Sequence, residues 1–147
     1  MKRILIHDGL VVTKNHAAQY DIAVAGERIH SLGIAGEFSP NDFDVTIDAK
    51  GLIVMPGLVE PHVHFEAPFM GGTTDHDMLT GTKACAYGGI TSVISFSNQP
   101  KGASLVKNVK DWDEKNLGRA YVDWSMHGLV YDAGEQTLSE IPELVKL

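Results

Sequence analysis

Residues 47–65 read I-D-A-K-G-L-I-V-M-P-G-L-V-E-P-H-V-H-F, and this stretch decides the fold. Within it, Leu52 to Val59 is an apolar run bounded by turn residues, which predicts a strand buried on both faces. Beyond residue 65 the chain takes up a rhythm of strand, loop and helix. Asp77 to Tyr87 is predicted as a helix with Asp77 at its N-cap and Gly88-Gly89 at its end. Ile90 to Phe96 is a second strand. Leu105, Val106, Val109 and Trp112 fall at helical spacing and Gly118 closes that helix. Tyr121 to Val130 is a third strand, and Leu138, Ile141, Leu144 and Val145 mark a third helix. Strand and helix alternate, so the sheet should be parallel.

Upstream, residues 1–51 are strand-like with period two. Ile4 and Ile6 alternate before an expected turn at Asp8-Gly9. Leu10 to Val12, Ile22 and Val24 come next, and Phe43, Val45 and Ile47 alternate with Asp and Thr. Small antiparallel sheets are the expectation for this part. The fold class is therefore α/β: an N-terminal strand-rich part over 1–51, then three βα units over 52–147. The apolar pattern still runs at Leu147 without a capping residue, and a closed barrel needs eight such units in ~250 residues. The chain is expected to be incomplete.

Composition narrows the function classes. With 147 residues, 44% hydrophobic and 21% charged, the chain is of ordinary globular type. Twelve Lys+Arg against nineteen Asp+Glu give a net charge of −7, with the basic residues dispersed, which argues against nucleic acid as a partner. No apolar run approaches the ~20 residues of a membrane span. The apolar run Ile4 to Ile6 stops at His7-Asp8, too soon for a signal peptide. The lone cysteine, Cys85, cannot form an internal disulfide, which favours the cytoplasm.

His62-Val63-His64 comes directly after the first buried strand, and residues two apart on a strand point to one side. Two imidazoles so placed can grip one metal ion, and strand C-termini are where parallel barrels build their sites. Seven histidines in random order would yield about 0.3 such pairs, so spacing alone leaves loop histidines open as the alternative.

The wider pattern adds to this. I-L-I-H-D-G-L-V-V at 4–12, D-I-A-V-A-G-E-R-I-H-S-L-G at 21–33 and the run at 47–65 together resemble the opening of the amidohydrolase superfamily. The likeness is to its cyclic amide hydrolases: hydantoinases, dihydropyrimidinases, allantoinases and dihydroorotases. That resemblance implies part of a small β-sandwich, then the first three βα units of a TIM barrel. It implies that His62 and His64 bind the more buried ion of a dinuclear centre, with zinc as the expected divalent metal, and that the substrate is a small cyclic amide. Dihydroorotase-like sequences carry Arg, and allantoinase-like ones Asn, where this chain has Glu66. The continuation A-P-F-M-G-G-T-T-D-H-D from Ala67 is similar to the hydantoinase and dihydropyrimidinase branch, which assigns Ala67 and Phe69 to contacts with the ring's exocyclic substituent. Glu60 stands where the family usually has Asp, supporting the histidines.

The resemblance also implies a bridging carbamylated Lys, further His ligands and an Asp general base, all expected beyond Leu147, so no catalytic residue is assigned here. The isolated chain is expected to be inactive, and the complete protein to be a homo-oligomer, dimer or tetramer. Alternatives are an allantoinase or dihydroorotase-type hydrolase, a non-catalytic dihydropyrimidinase-related scaffold, or a half-chain completed by a separate partner. Of the remaining candidates, Gly71 to Thr74 reads as a flexible loop over the site, His127 as a packed or supporting histidine, His76 as part of a helix entry, and Cys85 as a buried inert thiol.

Overall fold

Pro56 splits the run expected to form one strand. In a computed structural model, which describes residues 1–147, Ile53–Val54 and Leu58–Glu60 are separate short strands in two compact units, Met1–Pro56 and Gly57–Leu147. Proline has no N–H for a ladder, so pairing cannot run through it. The expected burial on both faces is also corrected: Ile53 is 65% exposed and Val59 61%.

The first unit is a five-stranded sheet of β1 (Arg3–Val12), β2 (Ala17–Ala25), β3 (Arg28–Ile34), β4 (Val45–Asp48) and β5 (Ile53–Val54). Its order is β3-β2-β1-β4, with β5 also on β1. The β1–β2 and β2–β3 pairs are antiparallel, as expected, but β4 and β5 both pair with β1 in parallel. The sheet is mixed. Asp8-Gly9 makes no turn either: β1 runs through it on a bulge, its register with β2 shifting between Ile6 and Gly9, with Asp8 at φ 61°. Asp21, 1% exposed, braces the bulge by accepting the Asp8 N–H at 3.2 Å and the Gly36 N–H at 2.8 Å. Gly9 is needed because a Cβ there would lie 2.6 Å from Val54 Cγ2.

The second unit comprises β6 (Leu58–Glu60), a hairpin of β7 (Pro68–Phe69) and β8 (Gly72–Thr73), α1 (Met78–Tyr87), β9 (Ile90–Asn98), α2 (Leu105–Asn116), β10 (Asp123–Leu129) and α3 (Glu135–Leu144). Strands β10-β9-β6 form a sheet in that order, parallel throughout. Asp77 caps α1 in a reciprocal box with Thr80, accepting its N–H at 2.8 Å and donating its own N–H to the hydroxyl at 3.2 Å. Ser104 caps α2 by accepting the Lys107 N–H. Phe65, Met78 and Val93 form the buried cluster of this unit, with Val63, Cys85 and Trp124 packed against it. No helix is long and apolar enough to cross a membrane.

Candidate metal centre

Strand β6 ends at Glu60, but its extended path continues. The Val63 N–H donates to the Ile94 carbonyl of β9 at 3.2 Å, and Glu60 Oε1 accepts the His62 N–H at 3.0 Å. Alternation then sends Val63 into the Phe65–Met78–Val93 cluster and leaves the rings of His62 and His64 together on the other side. Their Nε2 atoms are 3.2 Å apart, with ring centroids at 5.1 Å and planes inclined by 67°. Two nitrogens bound tetrahedrally to zinc at 2.0–2.1 Å lie about 3.3–3.4 Å from each other. The donor pair therefore fits a single ion.

Phe96 of β9 forms the floor. It stacks on His64 at 4.6 Å with planes 10° apart, and lies 4.7 Å from His62 and 4.9 Å from His127. His127 of β10 makes its hydrogen bond at Nε2 to the Pro61 carbonyl, 3.1 Å away. Cys85 is half-buried rather than fully buried; burial first, and then the Glu60 carboxylate, push its thiol above the ordinary range and keep it protonated.

The segment after His64 forms a short hairpin. Met70 and Gly71, at φ 46° and 83°, form the two-residue turn between β7 and β8, with left-handed backbone at both positions as tight hairpins require. Thr74 ties the hairpin down: its hydroxyl donates to the His64 carbonyl and accepts the Ala67 N–H, each at 3.1 Å. His76 takes part through its backbone, its carbonyl accepting the Glu66 N–H at 2.9 Å. Glu66 itself pairs with Lys115 of α2 at 3.1 Å.

Ala67 and Phe69 line a cleft of about 350 Å³ together with His64, Thr74, Asn98 and Tyr131. Asn98 and Tyr131 were missed from sequence. They lie at or just beyond the C-termini of β9 and β10, and that position in a parallel sheet was the available signal. Gln99 fixes the Tyr131 segment: its Oε1 accepts the N–H groups of Tyr131 and Asp132, and its Nε2 donates to Thr137 Oγ1 and the Ala103 carbonyl.

A second group of potential ligand atoms, one histidine and two aspartates, also missed, lies in the first unit. His7, Asp8 and Asp48 bring one potential ligand atom each within 4.8 Å of one another. His7 Nδ1 is 2.7 Å from Asp8 Oδ2, and that hydrogen bond raises the imidazole pKa above its ordinary value. Adjacent residues of a regular strand point to opposite faces; the bulge is what brings these two together.

No protein-family model matches the chain. Individual relatives do. A D-hydantoinase of Streptomyces coelicolor is 36% identical over 147 residues, covering 98% of this chain and 31% of its own length. A D-hydantoinase of Geobacillus stearothermophilus is 32% identical over 142 residues, covering 97% and 30%. Among solved structures, the dihydropyrimidinase of Brevibacillus agri NCHU1002 superposes with a TM-score of 0.88 at 36% identity, over 97% of this chain and 30% of that one. The chain thus spans about 30% of the length of these relatives. Across nearly all of its own residues the chain is homologous to the N-terminal part of D-hydantoinases and dihydropyrimidinases.

Proposed function

We propose that this chain carries the first pair of metal ligands and part of the substrate cleft of a cyclic amide hydrolase that opens hydantoin or dihydropyrimidine-type rings. The observation that carries the reading is the 3.2 Å approach of His62 Nε2 to His64 Nε2 at the mouth of a parallel sheet. On this reading β6, β9 and β10 are the first three staves of a TIM barrel, and the first unit contributes strands to a β-sandwich. His62 and His64 hold one ion of a two-zinc centre. A divalent ion in such a place supplies acidified water and polarises an amide carbonyl.

The chain's own groups do the rest. Glu60 orients His62 through its backbone N–H, and Phe96 stacks on the His64 ring and lies tilted against that of His62. Ala67 and Phe69 contact the ring's exocyclic substituent and shield the cleft from water. The complete protein is proposed to be a cytoplasmic homo-oligomer.

The test is zinc uptake and turnover by the purified chain. It is expected to bind zinc without hydrolysing hydantoin or dihydrouracil, because the family's wider ligand set exceeds two histidines. Addition in trans of a polypeptide bearing the remaining ligands should restore ring opening, monitored by ultraviolet absorbance. Turnover by the chain alone would refute the expected inactivity. Lack of zinc uptake would refute the ligand assignment.

A further inference from the structure

We infer that His127 is a positioning residue for the His62–His64 pair, acting through the Pro61 carbonyl. This role rests on the reading of that pair as metal ligands. β10 is not adjacent to β6: β9 lies between them. The His127 side chain nevertheless crosses β9 to reach the Pro61 carbonyl, 3.1 Å away and 66 positions distant in sequence. A carbonyl oxygen only accepts, so Nε2 of His127 carries the proton and donates. That nitrogen is thereby committed to the backbone and is not available to a metal ion.

The carbonyl it holds belongs to the peptide unit that joins Pro61 to His62. Fixing the plane of that unit limits where the His62 ring can swing. Glu60 Oε1 holds the same peptide unit from its other end, at the His62 N–H. One peptide plane is therefore clamped at both its oxygen and its nitrogen, and the next residue, Val63, is locked to Ile94. His127 is itself well placed to act as a fixed post, because it sits inside β10 directly opposite Phe96 in the β9 register. Phe96 touches all three imidazoles, so the tie and the two rings share one floor. Groups that orient a ligand without touching the ion affect affinity by ~10–100-fold when removed.

The experiment measures zinc affinity of the 147-residue chain by competition with a chromophoric chelator, alongside backbone amide exchange at His62 and Val63 without metal. His127→Phe keeps a ring on Phe96 but has no donor; His127→Ala is a second donor-less variant should the first fail to fold. Zinc binding is expected to weaken by ~10–100-fold, with faster exchange at His62 and Val63. His127→Gln retains an N–H donor and should recover most of both. Wild-type affinity and exchange in the donor-less variants would overturn the inference alone, as would a Gln variant no better than Phe. A wild-type chain that takes up no zinc, or whose affinity survives His62→Ala, would overturn the ligand assignment and this inference with it.

Discussion

The two units of the chain each bring histidine nitrogen close to another polar group, but with opposite consequences. In the first, a bulge sets the His7 ring against the Asp8 carboxylate, and the imidazole gains a counter-charge from within the chain. In the second, the extended segment that follows β6 sets His62 and His64 ring to ring, Nε2 to Nε2, above an apolar floor. Without an ion, one of those two nitrogens must carry a proton for the other to accept. If both present lone pairs, the contact is repulsive until a cation enters between them. The His7 imidazole has a hydrogen-bonded carboxylate partner; His62 and His64 have each other, and on the proposed reading a cation lies between them.

The sharpest way to break this comparison is to remove each histidine in turn. His62→Ala or His64→Ala should lower zinc affinity by more than the ~10–100-fold that loss of a supporting group costs, while His7→Ala leaves it unchanged in calorimetric titration. A comparable loss on removing His7 would move the site to the first unit.

Next in size is the support beneath the pair. Val63 lies between His62 and His64 and packs against the cluster that includes Phe65, which is 3% exposed. Phe65→Ala should cost about 3–5 kcal/mol by chemical denaturation. A loss under ~1 kcal/mol would mean that the cluster does not brace the His62–His64 segment.

Acid behaviour separates the units further. Asp77 lies below the usual carboxylate range, chiefly because its side chain is hydrogen-bonded by Thr80, with Arg119 adding its charge. A depressed carboxyl contributes stability above its unfolded pKa, and that contribution disappears as pH falls through the folded value. Asp77→Ala should therefore lower Tm by a few degrees at neutral pH, with the difference from wild type shrinking in acid. A difference independent of pH would contradict the cap.

The smallest effect belongs to His7. Its pKa is raised by Asp8, so the stabilisation is complete below the unfolded value near ~6.5 and is lost as pH rises through the folded one. In Asp8→Asn, the His7 titration followed by NMR should move down toward the ordinary imidazole value. No movement would show that the pair is not coupled.

How far these features can be read from sequence depends on whether they are local. Alternation along 60–65 and the Asp77 cap are properties of neighbouring residues, and both are legible. The parallel pairing of β4 and β5 with β1 is not, since period two specifies which face is apolar and says nothing of strand direction. Pro56 is visible in the sequence, yet the apolar run around it outweighs its missing N–H in a reading by hydropathy. The cleft contacts of Asn98 and Tyr131 depend on how β9 and β10 align, as does the reach of His127 to Pro61. The counter-charge of Glu66 comes from Lys115, on a helix whose side-chain directions spacing alone does not place.

The most direct measurement is a zinc titration followed by ring nitrogen-15 NMR, which resolves the seven histidines one by one. Nε2 of His62 and His64 should shift together at one equivalent of zinc or less, while His7 and His127 Nε2 keep their free-state signals. Shifts at His7 with the His62 and His64 rings undisturbed would contradict the assignment of the metal to the mouth of the parallel sheet.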